Sequence, residues 1–177
     1  MRHASCVLLL GLLSAGCAGG AGGVVAPLPQ REAGLWEVTL TAEPARRERP
    51  AVTRECTDAE TDAGLLLSQA PGQEHCGETQ VRKTGPEWQV STACRVHDNP
   101  IDTTFTFRGN FRTDYAGRFE VRYGTICPRN LPECRETREF TARRLGDCPA
   151  DLHPGDRMLP NGIVVRPLGD EAHRHEP

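Results

Sequence analysis

From Gly34 onward the chain alternates between apolar and polar positions. In "GLWEVTLTA", Trp36, Val38 and Leu40 share one parity and polar side chains take the other, the pattern of a strand with one buried face. "AVTREC" reads as a second short strand. "CGETQVRKTGPEWQVSTAC" reads as a hairpin turning at Lys83–Glu87, with Trp88, Val90, Cys94 and Val96 facing one way. The clearest hairpin is "TTFTFRGNFRTDYAGRFEVRYGT", in which Phe105, Phe107 and Phe111 share a parity, as do Phe119, Val121 and Tyr123. Its turn is expected at Thr113–Gly117, which sets Arg112 opposite Arg118 and Arg108 opposite Arg122 and leaves Tyr115 at the turn. "ETREFTARRLG" supplies a last strand through Phe140 and Ala142.

Only "CTDAETDAGLLLSQAPG" departs from this period. Thr57 and Glu60 fit a capping box, Asp58 suits the first turn, Leu65 to Leu67 form an apolar end, and Pro71-Gly72 stops it. Asp58, Glu60 and Asp62 also imitate a calcium loop, but the glycine, Gly64, falls one position late for that motif. The pattern therefore predicts a mainly β protein: a curved antiparallel sheet or partly closed, barrel-like domain of about seven strands with one short α-helix. With so little helix to cover its apolar face, such a sheet must curl.

The first residues differ in kind. Arg2 precedes an apolar stretch from Cys6 to Gly16, too short to span a bilayer and suited to a secretory leader. "LSAGC" at 13–17 resembles a lipobox, with Cys17 as the lipid acceptor, although Ser14 stands where Leu is usual. Cleavage after Val24-Val25-Ala26 is the alternative. The organisation expected is a lipoprotein-type signal at 1–16, a flexible Gly/Ala-rich tether at 17–33, one β-rich domain at 34–165 and a disordered tail at 166–177. The resemblance to lipidated bacterial proteins, in which a residue other than Asp after the Cys goes with outer-membrane sorting, implies through Ala18 an exported protein of the periplasm anchored to the outer membrane.

Cysteine content sharpens the picture. Of eight Cys, Cys6 and Cys17 belong to the leader region, which leaves six, an even number, in the folded part. An exported chain of this kind reads as disulfide-stapled, with 15 possible connectivities. Folding the first hairpin about Gly85 brings Cys76 opposite Cys94. "CPRNLPEC" holds Cys127 and Cys134 across a Pro-rich loop, and Cys56 is left for Cys148. With no C-x-x-C pair, a thiolate metal cluster is the weaker reading.

Composition adds little that is positive. Formal net charge is −3 over 177 residues, and of 21 basic residues only Lys83 is lysine. That balance argues against nonspecific nucleic-acid binding. The sequence carries no phosphate loop, no H-E-x-x-H and no G-x-S-x-G. No cofactor, metal or catalytic residue is expected, and the protein reads as a binding module and not an enzyme. His173 and His175 form an H-x-H in the polar tail, a weak copper or nickel motif that reads more simply as tail. Two candidate sites remain. Trp36, Trp88, Phe105, Phe107, Phe119, Tyr123 and Phe140 are expected on the inner face, either as a filled core or as the lining of a pocket for a lipid or apolar small molecule. Arg108, Arg112, Arg118 and Arg122 are expected together on the outer face, either as a solvated surface or as a patch for anionic envelope polymers or phosphates.

"GLWEVTLT" after a leader, "ECTDAET" before a short helix, the Cys76–Cys94 hairpin and "ARRLGDCPADLHPGDRMLPNG" near the end together resemble a bacterial family, domain of unknown function 3617, over about residues 33–162. The resemblance implies an exported, β-rich, often lipoprotein-like chain. Cys56, Cys76, Cys94 and Cys148 match the family's usual four, whereas Cys127 and Cys134 depart from it. It implies no activity and no site residues.

Overall fold

The computed structural model describes residues 24–42, 49–70, 73, 76–129, 131 and 133–169. The expected leader, Cys17, and the tail histidines lie outside them. Among the described residues, ten strands form one antiparallel sheet: β1 (Val24–Val25), β2 (Gly34–Ala42), β3 (Ala51–Thr57), β4 (Cys76–Thr84), β5 (Glu87–Val96), β6 (Asn99–Gly109), β7 (Asp114–Tyr123), β8 (Arg135–Gly146), β9 (Arg157–Met158) and β10 (Val164–Val165). Their spatial order is β1-β4-β5-β6-β7-β8-β2-β3-β9-β10, so the sheet is not closed. The mainly β architecture with one short helix is as the alternation predicts. The seven strands from β2 to β8 are long, and β1, β9 and β10 are two-residue additions at the edges.

The helix α1 (Asp62–Leu67) starts later than the capping box suggests. Thr57 stays in β3, and its hydroxyl donates to Asp62 Oδ1 at 3.2 Å. Asp58 closes the turn before the helix by accepting from the backbone N–H groups of Glu60 and Thr61 and from the Thr61 hydroxyl. With its side chain engaged in this local turn, the chain enters helical geometry only at Thr61. Leu65 and Leu66 are fully buried, and Leu66 joins the core on the inner face of the sheet.

All three expected disulfides form: Cys56–Cys148, Cys76–Cys94 and Cys127–Cys134. In the first hairpin the tight turn pairs Thr84 with Glu87, and a bulge between Cys76 and Glu78 restores Cys76 to a position opposite Cys94. The next connection is a two-residue turn at His97 and Asp98, both at positive φ as a type I′ hairpin requires.

The β6–β7 turn is not where the sequence places it. Asn110 Oδ1 accepts from the backbone N–H groups of Arg112 and Thr113 at 2.8 Å each and closes the chain over 110–113. Phe111 takes a positive φ of 58° and still buries its ring. Gly109 pairs with Tyr115, where the β-carbon of any other residue would meet the Tyr115 backbone. The register therefore pairs Arg108 with Ala116, Thr106 with Arg118 and Asp102 with Arg122. Tyr115 lies within β7, 2% exposed, instead of at a turn.

Residues 24–33 are likewise built into the domain. Val24 and Val25 pair with Lys83 and Arg82, Pro29 is buried, and the Arg31 side chain is inside the protein. The tether expected at 17–33 thus ends in ordered structure from Val24.

Candidate functional site

The inner face is filled by its own aromatic side chains. Trp36, Phe105, Phe107, Phe119 and Phe140 are at most 1% exposed, while Trp88 and Tyr123 are half-buried at the margin. Phe105 stacks on Phe107 with ring centroids 5.5 Å apart, and Phe107 meets Phe140 at 5.8 Å. Tyr115 extends the cluster, stacking on Phe111 and touching Trp36 and Phe140. Of the seven residues expected to line an apolar pocket, only Phe140 borders one of the three cavities described, and that cavity opens on the other face of the sheet.

A second feature of the interior has no counterpart in the expectations. Arg31 reaches between Trp36 and Tyr115, its guanidinium 5.7 Å from each ring centroid. Its Nε donates to Asp62 Oδ1 at 2.5 Å, and its Nη1 donates to Glu55 Oε2 at 2.9 Å and to the Tyr115 hydroxyl at 3.2 Å. Glu55 also accepts from Arg157 Nε at 2.8 Å and from Gln69 Nε2 at 2.7 Å. Burial opposes ionisation of Glu55, but Arg157, Arg31 and the hydrogen bonds from Arg31 and Gln69 outweigh it and hold the carboxyl below its usual range. Burial raises the Tyr115 phenol, which stays protonated. Apart from Arg31 Nη2, which is buried without a hydrogen-bond partner, these groups hold one another, and the cluster reads as a structural lock joining the N-terminal segment, β3, α1, β7 and β9.

The largest of these three cavities, about 500 Å3, is a groove on the outer face across β5 to β8 and the end of β2. Its floor is low because Ala116, which points to this face, is small, while Gly117 beside it faces inward with its partners Phe107 and Phe140. Gly117 lies beside the Thr106 carbonyl, with the Phe140 ring 2.7 Å from where a β-carbon would stand. Around that low floor rise Arg108 and Glu87 on one side and Arg118 and Glu139 on the other, with Thr106 and Thr141 between them. Among the described residues, no ion pair or side-chain hydrogen bond engages Arg108, Arg118, Glu87 or Glu139.

The four-arginine patch is therefore divided. Arg108 and Arg118 share the groove. Arg112 sits in the 110–113 turn, and Arg122 pairs with Glu120 at 2.6 Å. Arg108 and Arg122 do not face each other, because Asn110 shortens the turn and moves the register.

A family model matches residues 31–148. The chain belongs to DUF3617, a family described as protein of unknown function. No curated protein and no solved structure matches it. The DUF3617 match begins at Arg31, ends at Cys148, and spans β2 to β8 with α1, so it takes in both the groove and most of the buried lock. Arg157, which completes the pairing of Glu55, lies beyond it. Sequence reasoning missed Arg31 because the surrounding composition reads as tether. Glu55 and Tyr115 did carry a signal: Glu55 is an acid at an inward position of β3, and Tyr115 shares the parity of Phe119.

Proposed function

We propose that this protein is an exported, noncatalytic binding protein of the cell envelope, anchored through a lipid on Cys17, that engages anionic envelope polymers at the outer-face groove. The observation that carries the reading is the pair of guanidinium groups, Arg108 and Arg118, flanking a cavity of about 500 Å3 and held by no acidic partner among the described residues. Some exposed arginines of this sheet settle on a neighbouring carboxylate, as Arg143 does on Glu37 at 2.7 Å. Guanidinium groups left free beside a cavity retain their forked donors for carboxylate or phosphate oxygens. Three disulfides favour an oxidising compartment. The packed aromatic interior gives less support to a lipid or apolar small molecule held inside the sheet.

The test is calorimetric titration with alginate, a carboxylate polysaccharide, at low and high salt. Binding should weaken as salt rises, since exposed charges are screened over about 10 Å at 0.1 M salt. It should be lost in the double variant Arg108→Glu plus Arg118→Glu and retained in Arg122→Glu. Salt-insensitive binding, or equal binding by the double variant, would refute the reading. For the anchor, the mature protein from membranes should begin at Cys17 with added diacylglyceryl and acyl mass. A soluble species beginning near Pro27 would exclude it.

A further inference from the structure

We infer that, among anionic envelope polymers, the groove prefers a short peptide stretch that carries ammonium groups beside its carboxylates over a plain polyanion; the inference rests on the groove reading above. The strand register places Arg108 directly opposite Glu87 and Arg118 directly opposite Glu139, so each side of the groove presents one charge of each sign. Elsewhere on this face such juxtapositions do both: Glu37 binds both of its cross-strand neighbours, Arg143 at 2.7 Å and Arg54 at 3.5 Å, whereas Asp102 opposite Arg122 and Asp114 opposite Arg143 form no ion pair among the described residues. At the groove, two opposed pairs stay open among the described residues and flank one cavity. Four exposed charges summing to zero give a simple polyanion two attractive and two repulsive neighbours. A ligand with both signs meets all four favourably.

The remaining chemistry agrees. The Thr106 and Thr141 hydroxyls both donate and accept, which suits the N–H and C=O groups of an amide chain. The floor at the Ala116 methyl and the Gly117 backbone is shallow, which suits small aliphatic side chains. The volume of about 500 Å3 lies in the range of pockets for ligands of several linked groups and exceeds what a single ion needs.

The test uses the full folded chain, 15N-labelled, and the peptide Ala-Lys-Glu-Ala in three forms: free, with its amines acetylated, and with its carboxyls amidated. The free peptide should shift backbone amide signals of residues 106–108, 116–118 and 139–141. Each capped form should bind about tenfold or more weakly, the equivalent of losing one charged contact. Glu87→Gln plus Glu139→Gln should abolish the penalty for acetylation while leaving the penalty for amidation. Because the capped peptides probe the unaltered protein, the result does not depend on any variant folding. If the acetylated peptide binds as tightly as the free one and alginate still binds, the inference falls and the anion reading stands. If neither the peptides nor alginate move these signals, both fall.

Discussion

Replacing Arg31 with alanine tests whether the buried lock holds the N-terminal segment and α1 to the sheet. The substitution removes the donors to Asp62 at 2.5 Å and Glu55 at 2.9 Å, together with the cation between Trp36 and Tyr115. What remains is unequal. Glu55 keeps Arg157 and Gln69, while Asp62 keeps only the Arg31 backbone N–H at 2.8 Å and the Thr57 hydroxyl at 3.2 Å. Two buried acids would then share one arginine in place of two. Breaking a buried pair by removing one partner costs about 3–5 kcal/mol, because the other charge stays desolvated. The control is Arg54→Ala, whose pair with Glu37 spans 3.5 Å with the arginine side chain half exposed; the expected loss there is below about 1 kcal/mol. Urea unfolding of the oxidised protein, with the midpoint and slope fitted for each variant, measures both losses. An Arg31→Ala loss no larger than that of Arg54→Ala would refute the claim that the lock contributes to stability.

Acidification should destabilise the protein. Glu55 has a folded pKa below its unfolded value, so its contribution is complete above the unfolded value of about 4.3 and is lost as pH falls through the folded one. Glu55→Gln should flatten this part of the stability–pH curve, and an unchanged acid limb would count against the assignment. Gly117→Ala should cost about 1–3 kcal/mol, since its β-carbon would press on the Thr106 carbonyl and the Phe140 ring; an unchanged thermal midpoint would mean the sheet yields there freely. The disulfides should rank by the chain they close. Alanine replacement of Cys56 and Cys148, 92 residues apart, should cost about 4.6 kcal/mol, and that of Cys127 and Cys134, 7 apart, about 2.5 kcal/mol. Equal losses would contradict the loop-entropy account.

The faces of the sheet were legible from the chain, and its register was not. A misplaced turn in the Phe105–Tyr123 hairpin moved every cross-strand pair, yet Phe105 and Phe119 still point inward and now stand opposite each other. The register shifted by an even number of residues, which preserves the side each residue faces. The arginines, judged by who faces whom, had no such protection. Their partners depended on Asn110 closing the turn through its side chain, a contact that parity does not encode.

Period-two alternation by itself determined the β class, the inward aromatic set and, with the cysteine spacing, all three disulfides, because burial of one sheet face and closure of a crosslink are strong constraints that act locally along the chain. Tertiary structure alone decided that Arg31 is a core residue and that Arg108 and Arg118 share a groove. Arg31 is stable inside only because Asp62, Glu55 and Tyr115, drawn from three distant elements, converge on it. The groove has its low floor because Ala116 stands between larger neighbours, Arg108 and Thr141, on adjoining strands. Both are properties of proximity across the fold, and a linear pattern records proximity only along the chain.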